Sequence, residues 1–248
     1  MSCHFRGIIV FFAIWIALPA CALLSQSSAQ SAASSPSPSA SKAASTTASA
    51  KKSSGSADAE VDSGSIAEGV YRNKTFGFTC KIPAGWVLRT DEMNARAESE
   101  SAGEGSRATP DRTAEGGCPH MCNRVLLAAF SRPPEARGED VNSSILIAAE
   151  SAVAYPGMKD AAQYFGPLTE VAKAQGFEVD EEPYAYAIGR KTLVRGDFHK
   201  DVGSRVMRQS TLAMLEHDYA VSITVIGGTE DEVEELIDGV SFGETAKK

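Results

Sequence analysis

Aromatic residues make up only 7% of this 248-residue chain, and histidine occurs four times. Basic residues are outnumbered 24 to 32, which leaves a net charge of −8. That deficit argues against nucleic acid or an anionic lipid surface as the main partner, because both demand a basic patch. No run of eighteen apolar residues occurs beyond the N-terminus, so no internal membrane span is expected. The patterns Gly-x-Ser-x-Gly, Gly-x-Gly-x-x-Gly and the P-loop are all missing. Nothing therefore marks a nucleophile elbow or a phosphate cradle. No internal repeat is visible.

What is present begins with an export signal over residues 1–29. His4 and Arg6 precede a 12-residue apolar stretch, Gly7–Leu18, too short for a comfortable span. Two processing readings compete. Ser27-Ser28-Ala29 places small residues where a signal peptidase cuts, before Gln30. Leu18-Pro19-Ala20-Cys21 is similar to a lipobox, whose cysteine is lipidated. Residues 30–67 are a Ser/Ala-rich linker that cannot bury enough apolar surface to offset its chain entropy. Over roughly 40 residues a flexible chain reaches about 35 Å, which suits a tether.

The folded domain is expected over residues 68–243, followed by a short tail, 244–248. It is distinctly acidic: from Glu68 to Lys248, 29 acidic residues face 20 basic ones. Phe76–Ile82 alternates as a strand, with Phe76, Phe78, Cys80 and Ile82 on one face, and Pro83-Ala84-Gly85 ends it. Trp86 follows as an expected core anchor. Arg124–Phe130 and Ser144–Glu150 are apolar runs of strand length. Asp160–Gln175 repeats apolar residues at helical spacing, with Asp160 as N-cap and Gly176 at the C′ position; Pro167 should kink or split it. Strands are expected near Glu178–Ile188, Lys191–His199, Arg205–Leu215 and Tyr219–Ile226, with His217-Asp218 at a hairpin tip. Thr229-Glu230-Asp231-Glu232 has the form of a capping box. It opens a helix whose buried stripe is Val233, Leu236, Ile237 and Val240. Long runs of strands with two grouped helices imply an α+β fold. Its antiparallel sheet should have about six to seven strands.

Tyr71-x-Asn73-x-x-Phe76-Gly77-Phe78, followed by Ile82-Pro83-x-Gly85-Trp86, resembles the opening of PsbP-like domains. That family includes the photosystem II extrinsic protein and DcrB-like bacterial lipoproteins. The order of the later elements is similar too, so the resemblance spans roughly residues 69–243. It implies an antiparallel sheet flanked by helices in a binding or accessory protein, with no catalytic residues to carry over. The chain departs from that pattern at 91–117, an acidic Ser/Ala/Gly-rich insert expected to lack structure.

The sharpest local constellation is Cys118-Pro119-His120-Met121-Cys122. In an exported protein the leading reading is a disulfide between Cys118 and Cys122. Cys80 is then a buried small hydrophobe, though Cys80 with either partner stays open. Cys118, His120, Met121 and Cys122 together would alternatively suit a soft ion such as Cu(I). The same cysteines as redox thiols make a third reading. His199 and His217 are expected at the surface or in loops, and the Gly227-Gly228 pair reads as a turn rather than an anion site. The expectation for function is an exported, envelope-located, non-enzymatic binding or accessory protein without a cofactor. Its partner would be a protein or small ligand of the envelope, and any membrane contact would run through a lipid on Cys21.

Overall fold

The structure is a computed structural model that describes residues 61–105, 123–136, 138 and 140–243. The expected export signal, nearly all of the expected linker, the Cys118–Cys122 segment and the tail lie outside the described residues. The fold starts earlier than residue 68. Asp62 caps it: its backbone carbonyl accepts from Asn73 Nδ2 at 2.8 Å, and its carboxylate accepts from the Gly64 N–H at 3.0 Å.

Among the described residues, twelve strands and three α-helices follow in chain order. They are β1 (Ser65–Ala67), β2 (Val70–Asn73), β3 (Phe78–Lys81), β4 (Val87–Leu88), α1 (Thr90–Gly105), β5 (Asn123–Phe130) and β6 (Ser144–Ser151). Then come α2 (Ala161–Ala174), β7 (Glu178–Val179), β8 (Tyr184–Ile188), β9 (Lys191–Val202), β10 (Arg205–Glu216), β11 (Tyr219–Gly227), α3 (Glu230–Asp238) and β12 (Val240–Phe242). The protein is α+β with two antiparallel sheets. One has four strands in the order β1-β2-β3-β12. The other has eight, β4-β5-β6-β11-β10-β9-β7, with β8 paired to β9. The expected single sheet of six or seven strands with two helices is thus corrected to two sheets and three helices. The extra strands are two to five residues long, and strands that short carry too little alternation to be read.

The hairpins follow from local backbone chemistry. His217 and Asp218 both take positive φ, 51° and 63°, the pair of values a type I′ turn requires. Register then pairs Glu216 with Tyr219 and Leu215 with Ala220. Gly189 has φ 59° and Arg190 does not, which is the type II′ pattern between β8 and β9.

Each face of the large sheet is set by alternation. Val221, Ile223 and Val225 point to one face with Ile145 and Ile147. There α3 packs, burying Val233, Leu236 and Ile237, and the small sheet meets it where Phe76 contacts the Tyr219 ring edge-on at 6.0 Å. The other face carries small residues, Ala213, Ala220, Ser222 and Thr224. On that face α2 buries Phe165, Leu168 and Val171 against Ala213, Ala220 and Phe198.

Helix α2 begins and ends as its sequence implies. Asp160 accepts from the Gln163 N–H at 2.9 Å. Gly176, at φ 84°, lets its N–H reach the Lys173 carbonyl at 2.9 Å and the Phe177 N–H reach Ala172 at 3.0 Å, a Schellman closure. Pro167 does not split the helix. The preceding Gly166 lacks the Cβ that would clash with the proline ring, so the helical conformation before proline is tolerated.

Two further expectations are corrected. The insert at 91–117 is not wholly without structure, because Thr90–Gly105 is helical. It was illegible because only one described side chain, Met93, is a buried apolar residue. Its anchor is polar: the Asn94 side chain accepts from Val125 N–H at 3.0 Å and donates to Val125 C=O at 2.9 Å, beside a bulge in β5. Thr90 accepts from the Ala128 N–H at 2.9 Å. Trp86 is half-buried in a turn rather than a core anchor.

Candidate functional site

The two helices on the small-residue face stand over opposite ends of the strand order. α1 covers β5 through Met93, Val125 and Ala128, whereas α2 covers β9 and β10. Between them the floor is β6 and β11, where Leu146 and Ala148 are half-exposed. Register places polar side chains across this trough. Thr211 lies opposite Thr224, and Ser222 opposite Ala213 and Ala148.

The polar groups form two sets. In the first, Gln209 Nε2 donates to Thr211 Oγ1 at 3.3 Å, and Thr211 shares a hydrogen bond with Thr224 at 3.1 Å. Gln209 is 6% exposed, yet its Oε1 has no hydrogen-bond partner. An orphaned buried acceptor costs about 1–3 kcal/mol, so this side chain is held in place at a loss. In the second set, Glu150 accepts from the Tyr155 hydroxyl. Glu150 is 7% exposed, and burial raises its carboxyl above the usual carboxylate range. The Tyr164 hydroxyl lies beside Glu150 and Ser222, near both but outside hydrogen-bonding geometry. The Tyr155 and Tyr164 rings meet edge-on at 5.4 Å.

An open depression of about 350 Å³ lies at the start of α2, lined by Lys159, Asp160, Lys191, Thr192 and Leu193. Two of its polar groups are already engaged. Asp160 caps the helix, and Lys191 donates to Glu216. It is a weaker candidate than the trough for that reason.

The residues singled out from sequence fall as follows. Cys80 is a free thiol, fully buried, and burial pushes its pKa up to about 12. It lies in the Phe78 face of its strand, as a small hydrophobe would. Cys21, Cys118, His120, Met121 and Cys122 lie outside the described residues. Among the described residues no group of three His, Cys, Asp or Glu is arranged to hold a metal. His199, on β9, bonds Asp180 through Nδ1 and lies 3.8 Å from Glu178. His217 is exposed at its hairpin tip. The Gly228 N–H is taken by Glu232 Oε2 at 2.8 Å, so the glycine pair is a helix-entry turn. This is a variant of the capping box, in which the Glu232 carboxylate reaches Gly228 while Thr229 accepts from the Glu232 N–H at 3.2 Å.

Gln209, Thr211, Thr224, Glu150 and Tyr164 were not legible as a site. The signal was there in one form: polar side chains occupy inward positions of strands that otherwise alternate with apolar ones.

No family model matches the chain, and no curated protein matches it. Solved structures share it only distantly. A Pseudomonas aeruginosa protein of unknown function, described as a putative regulator, is 16% identical with a TM-score of 0.31; the match covers 42% of this chain and 75% of that one. A Bacteroides thetaiotaomicron structure is 11% identical with a TM-score of 0.33, covering 69% of this chain; the match spans about half, 47%, of that protein. LpqN of Mycobacterium tuberculosis, involved in cell envelope biogenesis, is 10% identical with a TM-score of 0.29, covering 66% and 82%. Likenesses this remote carry no functional argument. Among the described residues no helix is long and apolar enough to cross a membrane.

Proposed function

We propose that this chain is an exported, envelope-located, non-enzymatic binding or accessory protein with a PsbP-like domain, and that the trough between α1 and α2 takes its ligand. The observation that carries the proposal is Gln209, a buried side chain whose Oε1 lacks a partner in a row of hydroxyls. A donor supplied from outside would recover the free energy the free protein forgoes. The export signal and linker support the envelope address. The Tyr71–Trp86 motif supports the family through fold alone, because its residues build a turn: Asn73 Oδ1 accepts from the Phe76 N–H at 2.9 Å, and Asn73 Nδ2 donates to Tyr71 Oη at 3.1 Å.

The test is native mass spectrometry of the full chain expressed with export in a bacterial host. Wild type should carry a noncovalent adduct that Gln209→Met, of similar volume but without the acceptor, loses. The denatured mass should show a mature N-terminus at Gln30 or a lipid on Cys21. An intact Met1 in a soluble cytosolic fraction overturns the address, and an adduct unaffected by Gln209→Met overturns the site.

A further inference from the structure

β5 runs along one end of the large sheet with almost no strand beside it. Among the described residues, β4 pairs with it only at Ala129 and Phe130, so Asn123 to Ala128 have no strand on that side. Val125–Phe130 reads Val-Leu-Leu-Ala-Ala-Phe, without charge or proline. An apolar, uncharged segment on an open edge pairs readily with copies of itself.

The outward main-chain groups of this stretch are nevertheless spent. Asn94 Nδ2 donates to the Val125 carbonyl at 2.9 Å, and Asn94 Oδ1 accepts from the Val125 N–H at 3.0 Å. Both groups of one residue, bonded by one partner, is the pattern of a hydrogen-bonded antiparallel pair. A carboxamide can supply it because, like a peptide group, it carries a donor and an acceptor in one plane. Further along, Thr90 Oγ1 accepts from the Ala128 N–H at 2.9 Å, and the Arg89 N–H donates to the Ala128 carbonyl at 2.9 Å. The Arg89 carbonyl in turn accepts from the Met93 N–H at 3.0 Å, the first turn of α1. The chain thus steps from β4 along the edge straight into a helix. Thr90 and Asn94, four residues apart and so on one helix face, continue the ladder with side chains. Met93 packs on Val125 and Ala128 from the same helix.

We infer that α1 is an edge guard: Thr90 and Asn94 stand in for a missing strand and keep β5 from pairing antiparallel with β5 of a second copy. A strand added beside β5 continues both layers of the core, so it must be apolar on both faces. β5 itself meets that demand, with Val125 and Ala128 on one face and Leu127 and Ala129 on the other, all buried. The guard works whether or not the trough holds a ligand.

The test compares the full chain, expressed with export and kept reduced, with Thr90→Val/Asn94→Leu. That variant keeps side-chain volume and removes both side-chain latches. Amide exchange by NMR at low micromolar concentration should be faster at Val125 on the order of tenfold, the loss of one hydrogen-bond pair. As concentration rises, Val125 should regain protection, and sedimentation equilibrium should show a mass climbing toward twice the monomer. Wild type should stay monomeric, with Val125 protected throughout. Met93→Ala loses packing but keeps both latches, and should also stay monomeric. If the double variant does not fold, Asn94→Ala tests the same bonds while placing a stronger helix former in α1. Exchange at Val125 should then quicken while Ala128, still held by Thr90, stays protected. Unchanged exchange at Val125 in whichever latch variant folds overturns the inference. So does a double variant that remains monomeric at near-millimolar concentration, a wild type that associates, or a Met93→Ala that associates as readily as the double variant.

Discussion

Gly196 lies beneath the ring of Phe165, so close that a Cβ built on it would sit 2.5 Å from Phe165 Cε1. This contact seats α2 on the sheet. The ring fills the space a side chain on β9 would take, and Ala213 and Ala220 widen the same seat. Gly196→Ala must push a fully packed aromatic ring rather than a flexible chain end. The expected cost is about 1–3 kcal/mol, a fall in melting temperature of several degrees for a domain this size. Gly196→Ala/Phe165→Leu should be less destabilised than the sum of the two single changes. Additive losses would show that the two residues do not share the seat.

Glu150 gives a pH-dependent expectation. Its folded pKa is raised by burial, so the folded state holds its proton more tightly than the unfolded state does. Stability from this group is full below the unfolded carboxyl pKa and is lost as pH rises through the folded value. At neutral pH a buried carboxylate is thus a liability. Glu150→Gln, which can still accept from Tyr155, should raise the melting temperature at pH 7.5 and leave it nearly unchanged at pH 4. An equal effect at both pH values would mean that the carboxyl is not held protonated by burial.

Cys80 should be chemically silent. With its pKa near 12 and no exposed surface, almost no thiolate exists at pH 8 and no reagent reaches the sulfur. Iodoacetamide should leave Cys80 unmodified in the native protein and alkylate it after unfolding in guanidinium. Peptide mapping of the labelled protein checks this. Modification of Cys80 in the native state would mean that β2, β3 and β12 part readily.

How far the sequence could be read depends on what held each element. α2 and α3 carried apolar stripes and side-chain caps, so Asp160, Gly176 and Thr229 marked their ends correctly. The long strands β9, β10 and β11 showed themselves through alternation, and His217-Asp218 through turn chemistry. α1 was missed because Asn94 and Thr90 hold it by hydrogen bonds to β5, which leave no periodic trace. The short strands of the small sheet exist only because distant segments meet, as Val240 does with Cys80. The candidate site was illegible for the same reason. Gln209, Thr224 and Glu150 come from three strands, and only register brings them to one face.

Arg195 supplies the last expectation. It is a charge placed among apolar strand positions, 7% exposed. Its Nε donates to both carboxylate oxygens of Asp197 at 2.9 and 3.0 Å, and a second nitrogen bonds Glu234 on α3. Its guanidinium stacks 5.0 Å from the Tyr186 ring centre, and Asp197 also accepts from the Tyr184 hydroxyl at 2.9 Å. The network therefore ties α3 to β8 and β9. Removing the arginine strands Asp197, whose side chain is 18% exposed, and breaking such a pair costs about 3–5 kcal/mol. Arg195→Met should fall in or just below that range. Glu234, 41% exposed, can return to water, so Glu234→Gln should cost under about 1 kcal/mol. Arg195→Lys should not rescue, because a lysine ammonium cannot span two carboxylates in one plane while stacking on tyrosine. Arg195→Met/Asp197→Leu removes both charges and should be more stable than Arg195→Met alone. Urea unfolding of the four variants measures all of this. If Arg195→Met proves no worse than Glu234→Gln, the buried charge does not fix α3, and its docking rests on Val233, Leu236 and Ile237 alone.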